Sequence, residues 1–63
     1  GLTTREIQVI RLLAAGHRNK VIAEKMFLSE FTVKSHLRNI NAKLGAQGRT
    51  EAVAIARARG LLD

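Results

Sequence analysis

Between Ser29 and Gly45 four apolar residues, Val33, Leu37, Ile40 and Leu44, recur at spacings of four, three and four. An α-helix at 3.6 residues per turn brings such a set onto one side, and that side must be buried. The ends of the segment are marked as well: the Ser29 hydroxyl can accept from the free amides of a first turn, and Gly45 suits a left-handed stop. The pattern predicts a helix over 29–44. Taking about 100° per residue from Val33, the side chains of Phe31, Ser35, Arg38 and Ala42 point away from the stripe, with Lys34 and Asn39 on its flanks. No acidic residue occurs between Glu30 and Glu51, whereas Lys34, Arg38, Lys43 and Arg49 all do. The outward face is therefore positive along its length and attracts phosphate.

A chain of 63 residues makes a single domain, 1–63, close to the lower limit for folding without disulfides or metal. Nearly every Leu, Ile and Val is needed inside, which leaves little room for a catalytic pocket. The absence of cysteine excludes a disulfide framework and a thiolate zinc site. No apolar run is long enough for a membrane span or a signal peptide, so no membrane partner is expected and the expected location is cytoplasmic. Eleven Lys and Arg against five Asp and Glu give a formal charge of +6, large for this length, and point to an anionic partner. Without proline, and with glycines punctuating apolar stripes, the expected fold class is all-α.

The remaining elements follow in order. Leu2-Thr3-Thr4-Arg5-Glu6-Ile7 is a helix start, with Thr3 as cap, Glu6 completing a capping box and Leu2 able to staple onto Ile7. A helix over 3–15 would bury Ile7, Ile10, Leu13 and Ala14, widened by Val9 and Leu12, and stop at Gly16. After His17-Arg18, Asn19 is the best available cap for a second helix over 19–26 that carries Val21, Ile22, Ala23 and Met26. Asn19 and Lys20 at this helix start could hold a phosphate oxygen, or could be plain capping and a solvated cation. Phe27-Leu28-Ser29 then forms a short turn, and the small Ala23 lets the second and third helices cross closely. Such a crossing pushes the third helix out as a ridge that fits the major groove of DNA: this is helix-turn-helix logic. A last helix over 48–59, with Gly48 as cap and Glu51 in its first turn, is apolar on more than one side. One sector packs inward through Ala52, Ile55 and Ala56. Val53, Ala54, Arg57 and Ala58 suit a two-fold contact with an identical helix, the alternative being alanine that is simply tolerated in water. Leu61 and Leu62 are expected to fold back and close the core.

These residues resemble the carboxy-terminal DNA-binding domain of LuxR/FixJ-type bacterial transcriptional regulators. The resemblance covers essentially the whole chain. It rests on Leu2-Thr3 with Arg5-Glu6, Gly16, Asn19-Lys20 with Ile22-Ala23, Ser29 with Thr32-Val33-Lys34 and His36-Leu37, Ile40, Lys43-Leu44-Gly45 and Arg49-Thr50-Glu51-Ala52-Val53. It implies a compact four-helix domain, typically the output domain of a response regulator, whose second and third helices form the helix-turn-helix and whose fourth contributes to a homodimer. It also implies an upstream sensing or receiver domain in the full-length protein. By the same resemblance Lys34, Ser35 and Arg38 read base edges, while Thr32, Asn19 and Lys20 contact phosphates. His36, at the edge of the stripe, is expected to be structural with an additional phosphate bond, and Lys43 is either a phosphate contact or a solvated partner of the last carbonyls. Two departures matter. Arg18 and Val21 stand where the family commonly has Ser or Thr followed by Glu, so the second helix lacks its capping box; Arg18 is then a further phosphate candidate and Asn19 the expected cap. Phe31 is large, apolar and outward, able to touch a thymine methyl or to pack back on Phe27.

The leading expectation is thus a sequence-specific DNA-binding transcriptional regulator acting as a dimer on two half-sites of double-stranded DNA. The alternative is a basic protein interaction module. No enzymatic activity, cofactor or metal is expected. His17 and His36 are the only histidines, neither has a Cys or Asp near it, no glycine-rich phosphate loop is present, and Ser35 and His36 point apart on one helix.

Overall fold

The computed structural model describes residues 1–62, which form four α-helices: α1 (Thr4–Ala14), α2 (Asn19–Met26), α3 (Glu30–Leu44) and α4 (Arg49–Ala58). No strand occurs among the described residues. The bounds match the expected 3–15, 19–26, 29–44 and 48–59 to within one residue at each end, because Thr3, Ala15, Ser29, Gly48 and Arg59 are caps just outside the helices. α1 and α3 each pack against all three other helices, whereas the backbones of α2 and α4 do not approach one another closely.

The capping box forms as its residue types demand. Thr3 Oγ1 accepts from the Glu6 amide at 3.1 Å, and Glu6 Oε1 accepts from the Thr3 amide at 2.8 Å. At the other ends of the helices the chain turns through the left-handed region four times, at Gly16, Phe27, Gly45 and Gly60. Three of these are glycines, which carry no Cβ penalty. The fourth, Phe27 at φ 57° and ψ 43°, makes the same kind of stop: its amide donates to the Glu24 carbonyl and the Leu28 amide donates to the Ala23 carbonyl. This turn joins α2 to α3. The half-buried Leu28 beyond it packs on the core beside the buried Ala23.

Val33, Leu37, Ile40 and Leu44 are all buried, so the stripe on α3 is its inner face. Ile22, Ala23 and Met26 meet it from α2. From α4, Ala52 and Ala56 are fully buried, their small size allowing close approach, while Ile55 is half-buried. Leu61 and Leu62 are half-buried against the same core, and the Leu61 amide donates to the Ala56 carbonyl. On α1 the expected face is corrected: the buried residues are Glu6, Val9, Ile10 and Leu13, with Ile7, Leu12 and Ala14 at the margin. At the first turn of the helix a carboxylate, Glu6, is turned inward rather than an isoleucine.

Candidate nucleic-acid interface

The outward face of α3 begins at its cap. Ser29 Oγ accepts from the Thr32 amide at 3.0 Å and its hydroxyl donates to Thr32 Oγ1 at 3.0 Å. The Thr32 hydroxyl, half-buried beside the cap, is held by this pairing. Lys34 and Arg38, four residues apart and so one turn along the helix, are exposed, and Ser35 between them is half-buried. His36 is half-buried at the edge of the stripe. Phe31, on the first turn, is 75% exposed and Phe27 is 94% exposed. Side chains that bare do not cover one another, so Phe31 does not pack back on Phe27.

The start of α2 differs from its sequence expectation. The cap position is Arg18, in extended conformation, and no side chain caps the first-turn amides. Asn19 is the first helical residue rather than the cap, a correction with a visible reason. Its Oδ1 accepts from Arg49 Nη2 at 2.8 Å, a contact made across 30 residues of sequence. An uncapped helix start thus stands beside Arg18, Asn19, Lys20 and Arg49, with the Asn19 amide nitrogen left to donate. Arg49 did not enter the predicted site. Its charge and its place at a helix start were visible, but nothing local indicated that α4 would bring it to α2. Free amides, a helix dipole and three cations together favour an anion.

Residues 1–56 match the family described as bacterial regulatory proteins, luxR family. The chain belongs to the luxR family. Over 61 residues it is 48% identical to the uncharacterized transcriptional regulatory protein YxjL of Bacillus subtilis strain 168, covering 97% of this chain and 28% of that one. The crystal structure of the response regulator ChrA, from a heme-sensing two-component system, superposes with a TM-score of 0.94 at 44% identity, over 97% of this chain and 30% of ChrA. The transcription factor GerE superposes at 0.91 with 36% identity, over 98% of this chain and 96% of GerE. The chain therefore spans less than a third of YxjL and of ChrA but nearly all of GerE. Its four helices are those of the luxR-family DNA-binding transcriptional regulator domain, with α2 and α3 as the helix-turn-helix.

Within that luxR framework Lys43 Nζ donates to Glu6 Oε1 at 2.8 Å, with the Lys43 side chain 40% exposed and the carboxylate 4% exposed. The same Glu6 oxygen takes the Thr3 amide. Burial pushes the Glu6 carboxyl up, but the Lys43 bond, the Thr3 amide and hydroxyl and the Lys43 charge outweigh it and hold the pKa below the ordinary carboxylate value. The carboxylate is ionised at neutral pH and fastens the last turn of α3 to the first turn of α1. No local pattern pointed to this, because the partner lies 37 residues away.

On α4, Ala54, Arg57 and Ala58 are exposed and Val53 is half-buried at the margin of the core. The four residues singled out for self-association thus lie outside the fully buried part of the helix. No helix of the described residues is long and apolar enough to cross a membrane.

Proposed function

We propose that residues 1–63 form the output domain of a larger cytoplasmic regulator and seat α3 in the major groove, where Lys34, Ser35 and Arg38 meet base edges. The observation that carries this is the division of α3 into a buried apolar stripe and an opposite face on which Lys34 and Arg38 stand exposed one turn apart. A groove about 12 Å wide admits one helix, and the acceptors of guanine suit both cations. Thr32, His36, and the α2 start with Arg18, Asn19, Lys20 and Arg49 contact the phosphates on either side. Those contacts orient the domain and carry no sequence information. Phe31, bare beside the readers, offers an apolar surface to a thymine methyl.

The protein acts as a homodimer on two half-sites through Val53, Ala54, Arg57 and Ala58, since small side chains allow two copies of α4 to approach closely. The domain carries no catalytic activity of its own, and control comes from a separate sensing or receiver domain, in keeping with the share of YxjL and ChrA that lies outside the match.

Selection of bound duplexes from a random pool near physiological salt tests the proposal, because non-specific electrostatic binding is weak there. An enriched motif repeated as two half-sites is expected. Arg38→Ala should then cost about 1 to 3 kcal/mol and relax one base position, whereas Lys20→Ala should weaken all duplexes alike and reduce the salt slope by about one. Retention without enrichment, or identical behaviour of the two variants, would overturn the assignment of readers.

A further inference from the structure

Phe31 stands in line with the side chains assigned to base reading. It precedes Arg38 by seven residues, so the two lie within about 20° of one another around α3, and Lys34 and Ser35 fall one turn after Phe31 at i+3 and i+4. Val33, Leu37, Ile40 and Leu44 of the same helix are buried, whereas Phe31 is 75% exposed. The outward row therefore opens with a bare phenyl ring and continues through a hydroxyl and two cations. Ser29 Oγ accepts from the Thr32 amide and its hydroxyl donates to Thr32 Oγ1, each at 3.0 Å, which fixes the turn that carries Phe31.

A single apolar residue in water is ordinary on a protein surface. What sets Phe31 apart is its place in this row, where anything seated against Lys34, Ser35 and Arg38 also meets the ring. A phenyl group has no donor or acceptor, so it gains nothing from a phosphate. Along the major groove the base edges offer donors, acceptors and one apolar group, the C5 methyl of thymine. Cytosine methylated at C5 carries the same methyl at the same place on its ring, while unmodified cytosine and uracil carry none.

We propose that Phe31 is a specificity-determining residue that reads a pyrimidine C5 methyl group, so that methylation of cytosine at its position in the site strengthens binding as thymine does. The inference rests on the reading of α3 as the helix in the major groove, and adds to it a chemical modification of the DNA as a determinant of occupancy. Lys34 and Arg38 select by hydrogen bonds, which a C5 methyl leaves untouched. Phe31 selects by removing an apolar group from water, so its contribution follows the methyl and not the pairing. One methyl group buried in this way multiplies affinity by about four.

The test uses the duplex enriched by selection and measures affinity by fluorescence anisotropy. Each thymine is replaced in turn by uracil, which removes the methyl and keeps the base pair. One thymine in a half-site is expected whose replacement weakens binding about fourfold. At that position 5-methylcytosine paired with guanine should bind about fourfold more tightly than cytosine paired with guanine. Phe31→Ala should abolish both differences at an unchanged melting temperature, because its ring is in water, and Phe31→Leu should keep them. Arg38→Ala should keep both too, while relaxing its own base position. If no thymine responds to uracil, or the response survives in Phe31→Ala, the proposal is overturned, while an enriched motif leaves the major-groove reading standing. Absence of any enriched motif would overturn both.

Discussion

α1 and α2 begin in opposite ways. At α1, Thr3 and Glu6 satisfy one another's amides, and the same Glu6 oxygen receives Lys43 from the far end of α3, so the start is closed by groups from within the chain. At α2 the cap position is an arginine that caps nothing, and the neighbouring Asn19 is turned to Arg49 instead. The first is finished without a partner. The second leaves amides and cations together, an arrangement that favours an anion. A helix start that forgoes a cap gives up about 1 kcal/mol, which a bound phosphate can return. The contrast separates a start closed from within the chain from one left open.

Four perturbations sharpen or break that contrast. The largest effect is expected from Glu6→Ala, which removes both the reach-back of the capping box and the partner of Lys43. Stability should fall by roughly 2 to 3 kcal/mol in urea unfolding, with duplex affinity of the folded protein unchanged. A loss under about 0.5 kcal/mol, the range of ordinary surface changes, would deny the closed start its structural role. Acid should act through the same group. Because the folded Glu6 carboxyl titrates below its ordinary value, its contribution is complete above that value, about 4.3 in the unfolded chain, and is lost as pH falls through the lower folded pKa. Glu6→Gln should flatten that limb of a stability-versus-pH curve.

Arg18→Asp is the converse experiment. A carboxylate at the cap position closes the start of α2, so the melting curve should show about 1 kcal/mol of added stability while all duplexes bind more weakly. Unchanged DNA affinity would mean that the open start holds no phosphate. The smallest change belongs to Asn19→Ala, for which unfolding should move by less than about 0.5 kcal/mol because no cap is removed. A loss of about 1 kcal/mol would restore Asn19 as the cap.

What could be foreseen from the sequence was whatever neighbours in the chain decide among themselves. The capping box at Thr3 and Glu6, the stripe from Val33 to Leu44 and the glycine stops depend on spacings of three or four residues, and all three formed as expected. Lys34 and Arg38 were assigned outward by the same periodicity, and they are exposed. The misses are long-range. Asn19 seemed a cap because its type suits one, yet Arg49 claims its oxygen from 30 residues away. Lys43 is charged and terminal on its helix and Glu6 completes a capping box, but nothing near either residue shows that the two are bonded to one another. The buried face of α1 takes in Glu6 and Val9 and leaves Ile7 and Ala14 at the margin. For Phe31 and Phe27 the sequence held two possibilities, and only the packed molecule excluded the one that buried them together.

The bond between Glu6 and Lys43 also encloses α2, the turn and most of α3 in a single loop. A contact spanning 37 residues is rewarded only after that loop has closed, whereas the helices and the turn between them gather from short-range contacts. It is therefore expected to form late, on the native side of the folding barrier. An interaction absent from the barrier does not hasten folding but slows escape from the folded state, so its removal should raise the unfolding rate and leave the refolding rate nearly unchanged. The latch is then expected to set how long α3 stays assembled on α1, not how fast it is made.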